Sequence, residues 1–320
     1  MKKTRIVYMG TPSFAVVPLR RLLEENYEIV AVVTAPDKPC GRGLAVKCCE
    51  IKEFALENNL PLLQPLSLKD PEFIRDLASY HADLFIVVAF RMLPEIVWSM
   101  PPLGTFNLHA SLLPRYRGAA PINYAIINGE SVTGVTTFML NKEIDTGDIL
   151  FQQECPVDPE DDFGSLHDKL AEAGAALVLK TTEAIIHRKV IPVKQSGFFT
   201  GTEDLPQAPK LTKERGKIDW NATGESIKNL VRGLSPWPGA YTTVKRGDFS
   251  CDLKIFKCNV TELKSNGKPG TLMIENGSKL LAACSDIYIE IKELQVAGKR
   301  RISAGEFLRG FRNTEQSCFI

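Results

Sequence analysis

Thr105-Phe-Asn107-Leu-His109-Ala-Ser111-Leu-Leu-Pro114-Arg-Tyr-Arg117-Gly118-Ala-Ala-Pro121 runs from an alternating segment into one rich in Ser, Pro and Gly. The alternation over 105–109 is that of a strand end, which projects Asn107 and His109 to the same side. Similar strand-like runs lie at Ile6–Met9, Ile29–Val33, Leu84–Ala89, Val135–Leu140 and Ile149–Gln153. Between several of them the apolar spacing is helical, over Ser13–Glu25, Ile51–Asn58 and Asp70–Tyr80, and Asp70-Pro71 is an N-cap followed by proline at the first helical position. Strand and helix in alternation predict an α/β fold with a Rossmann-like, mostly parallel sheet and helices on both faces.

A long helix is expected over Ser165–Arg188, ending in His187-Arg-Lys, and it closes a first domain at 1–189. Residues 190–208 hold Pro192 and Pro206 with glycines at 197 and 201 and no sustained period, so they read as a linker. From 209 to 320 a helix at Gly224–Leu234 precedes five short strand candidates: Tyr241–Lys245, Leu253–Cys258, Gly270–Ile274, Leu280–Ala283 and Ile287–Leu294. That pattern predicts a small OB-like β-barrel, followed by a capping box at Ser303-Ala-Gly-Glu306 opening a last short helix.

At 320 residues and 44% hydrophobic content the chain has length for two cores. The sequence has neither an apolar run of eighteen nor room for a signal peptide before Arg5-Ile-Val-Tyr-Met9, so a cytoplasmic protein with no membrane partner is expected. The eight cysteines are scattered and read as reduced thiols; Cys40, Cys48 and Cys49 lack a second ligand pair, so no metal is expected. Residues 1–190 carry 19 Lys+Arg against 24 Asp+Glu, net −5, and residues 191–320 carry 20 against 14, net +6. A basic second domain beside an acidic first one points either to solubility patterning or to a polyanion held by one domain.

In open parallel sheets ligands bind beyond the carboxyl ends of strands, where the loops after Ala89, His109 and Leu140 gather. Asp145-Thr-Gly147-Asp148 lies on the last of these. A nicotinamide cofactor is not expected, because Gly10-Thr-Pro-Ser-Phe and Gly41-Arg-Gly43 lack the three-glycine fingerprint. A serine hydrolase is also disfavoured: Ser111 has no Gly-x-Ser-x-Gly elbow and, two residues from His109, faces the same way.

Asn107-x-His109-x-Ser111-Leu-Leu-Pro114-x-Tyr-Arg-Gly118-Ala-Ala-Pro121-Ile with Asp145-Thr-Gly147-Asp148 resembles the signature of the folate-dependent formyltransferase family. Gly10-Thr-Pro12, Pro36-Asp-Lys-Pro-Cys-Gly-Arg42-Gly43 and Trp237-Pro238-Gly239 extend the resemblance along the chain, and the basic turn at 36–43 with the C-terminal domain narrows it to the branch acting on charged initiator tRNA. The resemblance implies transfer of a formyl group from N10 of 10-formyltetrahydrofolate to the α-amine of initiator methionyl-tRNA. It casts Asn107 and His109 as oxyanion donors and Asp145 as the carboxylate that orients the imidazole and stabilises its charge.

The same resemblance places folate along Phe90, Arg91, Met92 and Leu93, with Ser111, Leu112, Leu113 and Pro114 as a second wall. Two departures stand there: Arg91 replaces a usual glycine and Phe90 a usual tyrosine, and an inward Arg91 would crowd the pocket. The 36–43 segment is expected as a mobile loop on the acceptor stem, with Lys38 and Arg42 as its cations; Leu44-Ala-Val-Lys-Cys-Cys stands where further basic residues are usual. Arg115 and Arg117 are candidates for the terminal adenosine phosphate. Lys210, Lys213 and Arg215, joined by Lys217, Lys299, Arg300 and Arg301, form the basic second-domain face. A monomer is expected. The competing readings are a formyltransferase or hydrolase for a small molecule, which gives no reason for a basic domain, and a noncatalytic tRNA-binding scaffold, against which the intact Asn107, His109 and Asp145 speak.

Overall fold

Along the chain the elements are β1 (Arg5–Gly10), α1 (Val16–Glu24), β2 (Glu28–Val33), β3 (Lys38–Cys40), β4 (Ala45–Lys47), α2 (Glu50–Glu57), β5 (Leu62–Leu63), α3 (Pro71–Ser79), β6 (Leu84–Val88), α4 (Glu95–Trp98), β7 (Thr105–His109), β8 (Arg117–Gly118), α5 (Pro121–Ile127), β9 (Val132–Met139), β10 (Ile149–Pro156) and α6 (Phe163–Ile186). After these come β11 (Gln207–Ala208), α7 (Gly224–Gly233), β12 (Ala240–Arg246), β13 (Phe249–Lys264), β14 (Leu272–Glu275), β15 (Lys279–Ala283), β16 (Ile287–Val296), β17 (Arg301–Ser303), α8 (Ala304–Gly310) and β18 (Ser317–Phe319). This computed structural model describes residues 3–40, 45–199, 204–311 and 317–320.

Two compact units interleave in sequence. One comprises 1–118, 132–156 and 167–207; the other comprises 119–131, 157–166 and 208–320. The interleaving has a packing cause. Helix α5 buries Ile122 through Ile126, and it packs on α7, where the Asn123 side chain donates to the Gly233 carbonyl at 2.7 Å. A helix apolar on nearly every side needs a partner on nearly every side. Its sequence is continuous with the 105–118 stretch, which hid that partner.

In the first unit a seven-stranded sheet has the order β10-β9-β7-β6-β1-β2-β5. The five strands from β5 to β7 are parallel, as expected; β9 and β10 add to β7 antiparallel. Every residue of β6 (Leu-Phe-Ile-Val-Val) is buried, as a strand covered on both faces must be. The order reverses between β1 and β6, and at that switch point Gly10 is packed so closely that a Cβ there would stand 2.5 Å from Ala15 Cβ and 3.0 Å from the Val88 carbonyl. Helix α3 begins as read, with the Asp70 carboxylate accepting from Glu72 N and Pro71 in the first turn. Of the 36–43 segment expected as a loop, residues 38–40 form β3, which pairs antiparallel with β4 (Lys38 opposite Lys47), and 41–43 lie outside the described residues.

The second unit is a nearly closed antiparallel barrel of order β14-β15-β16-β13-β12-β18, with β17 on β16. Its two ends meet through a Thr271–Cys318 bridge and a bond from Phe319 N to the Gly270 carbonyl at 2.8 Å. The five expected strands are all present, and β17 and β18 complete the closure. The capping box of α8 is formed: Ser303 Oγ accepts from Glu306 N at 3.2 Å and Glu306 Oε2 accepts from Ser303 N at 3.1 Å. Ile227 and Val231 of α7 join Ile255, Leu280, Ile289 and Leu294 in the core. Burial pushes the Cys258 and Cys284 thiols up to about 12.

The unit boundaries change the charge reading. Counted by unit, the first carries 20 Lys+Arg against 21 Asp+Glu, net −1, and the second 19 against 17, net +2. The acidic stretch Asp158-Pro-Glu-Asp-Asp162 belongs to the second unit, where Arg232 donates to the Asp161 carbonyl and Lys228 pairs with Glu160 at 3.5 Å. The sharp contrast between sequence halves is therefore an effect of where the chain was cut.

Candidate active site

His109 ends β7, buried at 6% exposure, in register with Thr136 of β9. Its Nε2 lies 2.9 Å from the Tyr116 carbonyl. A carbonyl can only accept, so Nε2 carries the hydrogen. The other ring nitrogen, Nδ1, faces Asp145 Oδ2 at 3.9 Å, and that same carboxylate oxygen accepts from Gly118 N at 2.9 Å. The imidazole thus has an acceptor fixing one nitrogen and a carboxylate beside the other. Asn107 sits two residues earlier on the strand, half-buried, and its carboxamide has no side-chain hydrogen bond to a described residue.

The loops that carry these groups are held in uncommon backbone conformations. Ala89 after β6, Tyr116 after β7 and Asp145 after β9 have φ of 47°, 60° and 54°, the left-handed region that non-glycine residues rarely adopt. Three such residues, in the loops after β6, β7 and β9, mark where local geometry is set by the surroundings rather than by preference. Gly147 follows: a Cβ there would stand 1.7 Å from the Met139 carbonyl, so only glycine lets the Asp145 loop lie against β9.

The segment 111–114 is consumed by its own fold. Ser111 Oγ donates to the Arg115 carbonyl at 2.7 Å, Thr136 Oγ1 donates to the Ser111 carbonyl at 2.6 Å and accepts from Leu113 N at 3.1 Å, and Gln152 donates to the Leu113 carbonyl at 2.8 Å. Leu113 packs with Phe138 and Ile149, and Pro114 is buried behind a cis peptide. Leu112 is the half-buried member of this group. On the other expected wall Leu93 belongs to the core with Val97, Met92 is 67% exposed and Phe90 is half-buried.

Arg91 is accommodated by the loop after β5. Its guanidinium donates to the Leu66 carbonyl at 3.0 Å and to the Pro65 carbonyl, and it lies 5.5 Å from the Phe90 ring centroid. Burial lowers its pKa from the ordinary arginine value, and Nε is buried without a partner. The side chain is therefore tied to the 65–66 backbone.

Of the expected acceptor contacts, Arg42 lies outside the described residues, and Lys38 lies on β3. Arg115 is exposed, 5.8 Å from the Tyr116 ring centroid. Arg117 is half-buried and committed to Gln195. In the second unit Lys210, Lys213, Arg215 and Lys217 are all exposed; Lys213 lies 5.9 Å from the Tyr241 ring, and Lys210 and Arg215 have no ion pair among the described residues. Lys217 and Lys268 line a cleft of about 430 Å³ with Trp220 and Phe319. By contrast Arg300 pairs with Glu306 at 3.2 Å and Arg301 with Glu293, so these two expected members of the basic face are partly neutralised. Among the described residues no three His, Cys, Asp or Glu side chains gather as a metal site.

Gln195 was not legible from sequence. It lies in the stretch read as a linker, yet it is 4% exposed and bonded to both loops of the site. A lone glutamine among prolines carries no period and no motif. The one available signal was that 190–208 contains apolar residues at 191, 193, 198 and 199, more than a solvated linker needs.

Asn107 and His109 at the end of β7 thus stand beside a carboxylate, a set of groups chemically able to donate to an oxyanion and balance the charge of the donor. The formyl transferase family model matches residues 3–182 and the formyl transferase C-terminal domain model residues 210–312. The chain belongs to the formyl transferase family and is a formyltransferase. It is 47% identical over 318 residues to the methionyl-tRNA formyltransferase of Bacteroides fragilis (strain YCH46), covering 98% of both chains, and 45% identical over 317 residues to that of Flavobacterium johnsoniae, covering 99% of both. Among solved structures, the sugar 3N-formyl transferase WlaRD, in the presence of dTDP and 5-N-formyl-THF, superposes with a TM-score of 0.66 at 20% identity over 94% of this chain and 100% of that one. That likeness carries the fold alone.

Proposed function

We propose that this chain transfers the formyl group of 10-formyltetrahydrofolate to the α-amine of methionine on initiator tRNA, giving N-formylmethionyl-tRNA for translation initiation. The observation that carries this reading is the full-length match, 44–48% identity to curated methionyl-tRNA formyltransferases. A small-molecule acceptor is not favoured, since the sugar formyltransferases share the fold at about one residue in five.

The amine nitrogen attacks the formyl carbon, the carbonyl oxygen becomes an oxyanion, and its collapse breaks the bond to N10. The amine loses one proton and N10 gains one. Asn107 and His109 are the donors toward the oxyanion, and each such donor is worth about 10²- to 10³-fold in rate. With Nε2 given to Tyr116, His109 works through Nδ1, and donation there requires the imidazolium, whose charge Asp145 balances. Folate lies along Phe90, Arg91, Met92 and Leu93, with Ser111, Leu112, Leu113 and Pro114 behind it. Because the polar groups of Ser111 and Leu113 are already bonded, that wall supplies shape. Recognition of the pterin edge falls to backbone at 90–93 and near Asp145.

Lys38, Arg42 and Arg115 meet the acceptor end, and Lys210, Lys213 and Arg215 its phosphates. Arg117 is reassigned from phosphate contact to the site's framework. The 1–189 region does the chemistry and 209–320 holds tRNA. The enzyme acts in the cytoplasm as a monomer; among the described residues no helix is long and apolar enough to cross a membrane. The test is a competition assay with 10-formyltetrahydrofolate and Met-charged initiator tRNA, glycinamide ribonucleotide and water as acceptors. Formyl should appear on the tRNA; transfer to either of the others without it would refute the assignment.

A further inference from the structure

Gln195 spends its whole hydrogen-bonding capacity on two loops. Its Oε1 accepts from Arg117 Nε at 3.1 Å and from Arg117 Nη2, and its Nε2 donates to the carbonyls of Asp145 at 2.8 Å and Gly147 at 2.9 Å. A carboxamide has two donor hydrogens and two acceptor lone pairs, so all four are filled. The residue reaches from a rigid base. Two positions earlier Val193 exchanges backbone bonds with Ile149 at 2.8 and 2.9 Å, pinning the segment to the edge of the sheet.

What the clasp joins matters more than its strength. Arg117 lies between Tyr116, whose carbonyl fixes His109 Nε2, and Gly118, whose N–H holds Asp145 Oδ2. On the other side Gln195 grips the Asp145 peptide itself, at a residue with φ of 54°. The backbone carrying the imidazole's anchor and the backbone carrying its carboxylate are thus tied to one amide group, out of water. A neutral amide suits this place: a carboxylate would repel the two carbonyls, and an apolar side chain would leave them and the guanidinium unmet.

We propose that Gln195 is a positioning residue that sets the spacing between His109 Nδ1 and Asp145 Oδ2 by clasping the loops after β7 and β9. Its kinetic arm rests on the formyl-transfer reading. Buried at 4% exposure with its carboxamide fully bonded within the protein, Gln195 has no polar hydrogen or lone pair left for donor or acceptor, so its loss should act on turnover through Asp145.

Two variants test it. Gln195→Glu keeps an acceptor for Arg117 and removes both donors; Gln195→Ala removes every bond and serves as the harsher control. In Gln195→Glu, kcat should fall by about 10- to 100-fold, as for a misplacement near 1 Å, while KM for tRNA and for folate stays within about twofold. In an Asp145→Ala background the same substitution should cost less than about twofold, because a residue acting through another has nothing left to position. Hydrogen exchange at the Gly118 amide, which donates to Asp145 Oδ2, should quicken by about tenfold in Gln195→Glu. Wild-type kcat in Gln195→Glu, a loss that adds in full to that of Asp145→Ala, or unchanged Gly118 exchange would overturn the proposal. The exchange measurement needs no acceptor, so a protein that fails to formylate tRNA yet shows the Gly118 change would sink the function and leave Gln195 in its role.

Discussion

The loops after β7 and β9, on one side, and the run 210–217, on the other, are opposite in what they do with their polar groups. In the first, His109, Ser111, Arg117 and Asp145 each bond to backbone or to a buried amide within the same unit. In the second, Lys210, Lys213 and Arg215 stand exposed, and Lys210 and Arg215 have no ion pair among the described residues. On the proposed reading the first region does chemistry, which suits groups held to a fraction of an ångström. On the proposed reading the second region grips a polyanion, which suits exposed cations that can exchange counterions for phosphates.

Substitutions should separate the two regions cleanly. His109→Ala should have the largest effect, lowering kcat by about 10²- to 10³-fold with KM for tRNA nearly unchanged in steady-state assays. Asp145→Ala comes next, at about 10²-fold in kcat, since it removes both the imidazole's partner and the acceptor of Gly118 N–H. Replacing Lys210, Lys213 and Arg215 together by alanine should leave kcat alone, raise KM for tRNA by about tenfold near physiological salt, and flatten the log–log salt slope by about two to three. The smallest effect belongs to Arg300→Ala with Arg301→Ala: paired with Glu306 and Glu293, they should change tRNA KM by less than about twofold and leave the slope intact. A slope change from this last pair as large as from the 210–215 triple would erase the distinction between free and committed cations.

How much of this was readable from residues alone follows the same division. The parallel strands, α3 with its Asp70 cap and the α8 capping box were legible because their signals are local: buried apolar runs, an N-cap with proline, a Ser/Glu pair three apart. His109 with Asp145 was legible as a motif, and the structure places them 3.9 Å apart. What the sequence hid is non-local. Helix α5 belongs with α7 because of where Asn123 and Gly233 meet, 110 residues apart. Gln195 finds Arg117 across 78 residues. The charge contrast between halves faded because 157–166 packs with the second unit, whichever half of the chain it is written in. Arg91, which threatened the folate wall on paper, is taken up by carbonyls 25 and 26 residues away.

We propose that the His109–Asp145 geometry performs the transfer while the exposed lysines and arginine only hold the acceptor. A single-turnover rapid-quench measurement, at saturating enzyme and 10-formyltetrahydrofolate with Met-charged initiator tRNA, isolates the chemical step from binding. Under these conditions His109→Ala should be slowed by about 10²-fold or more while the Lys210, Lys213 and Arg215 triple variant matches wild type. A His109→Ala variant that transfers formyl at the wild-type rate, or a triple variant slowed as much at saturation, would contradict it.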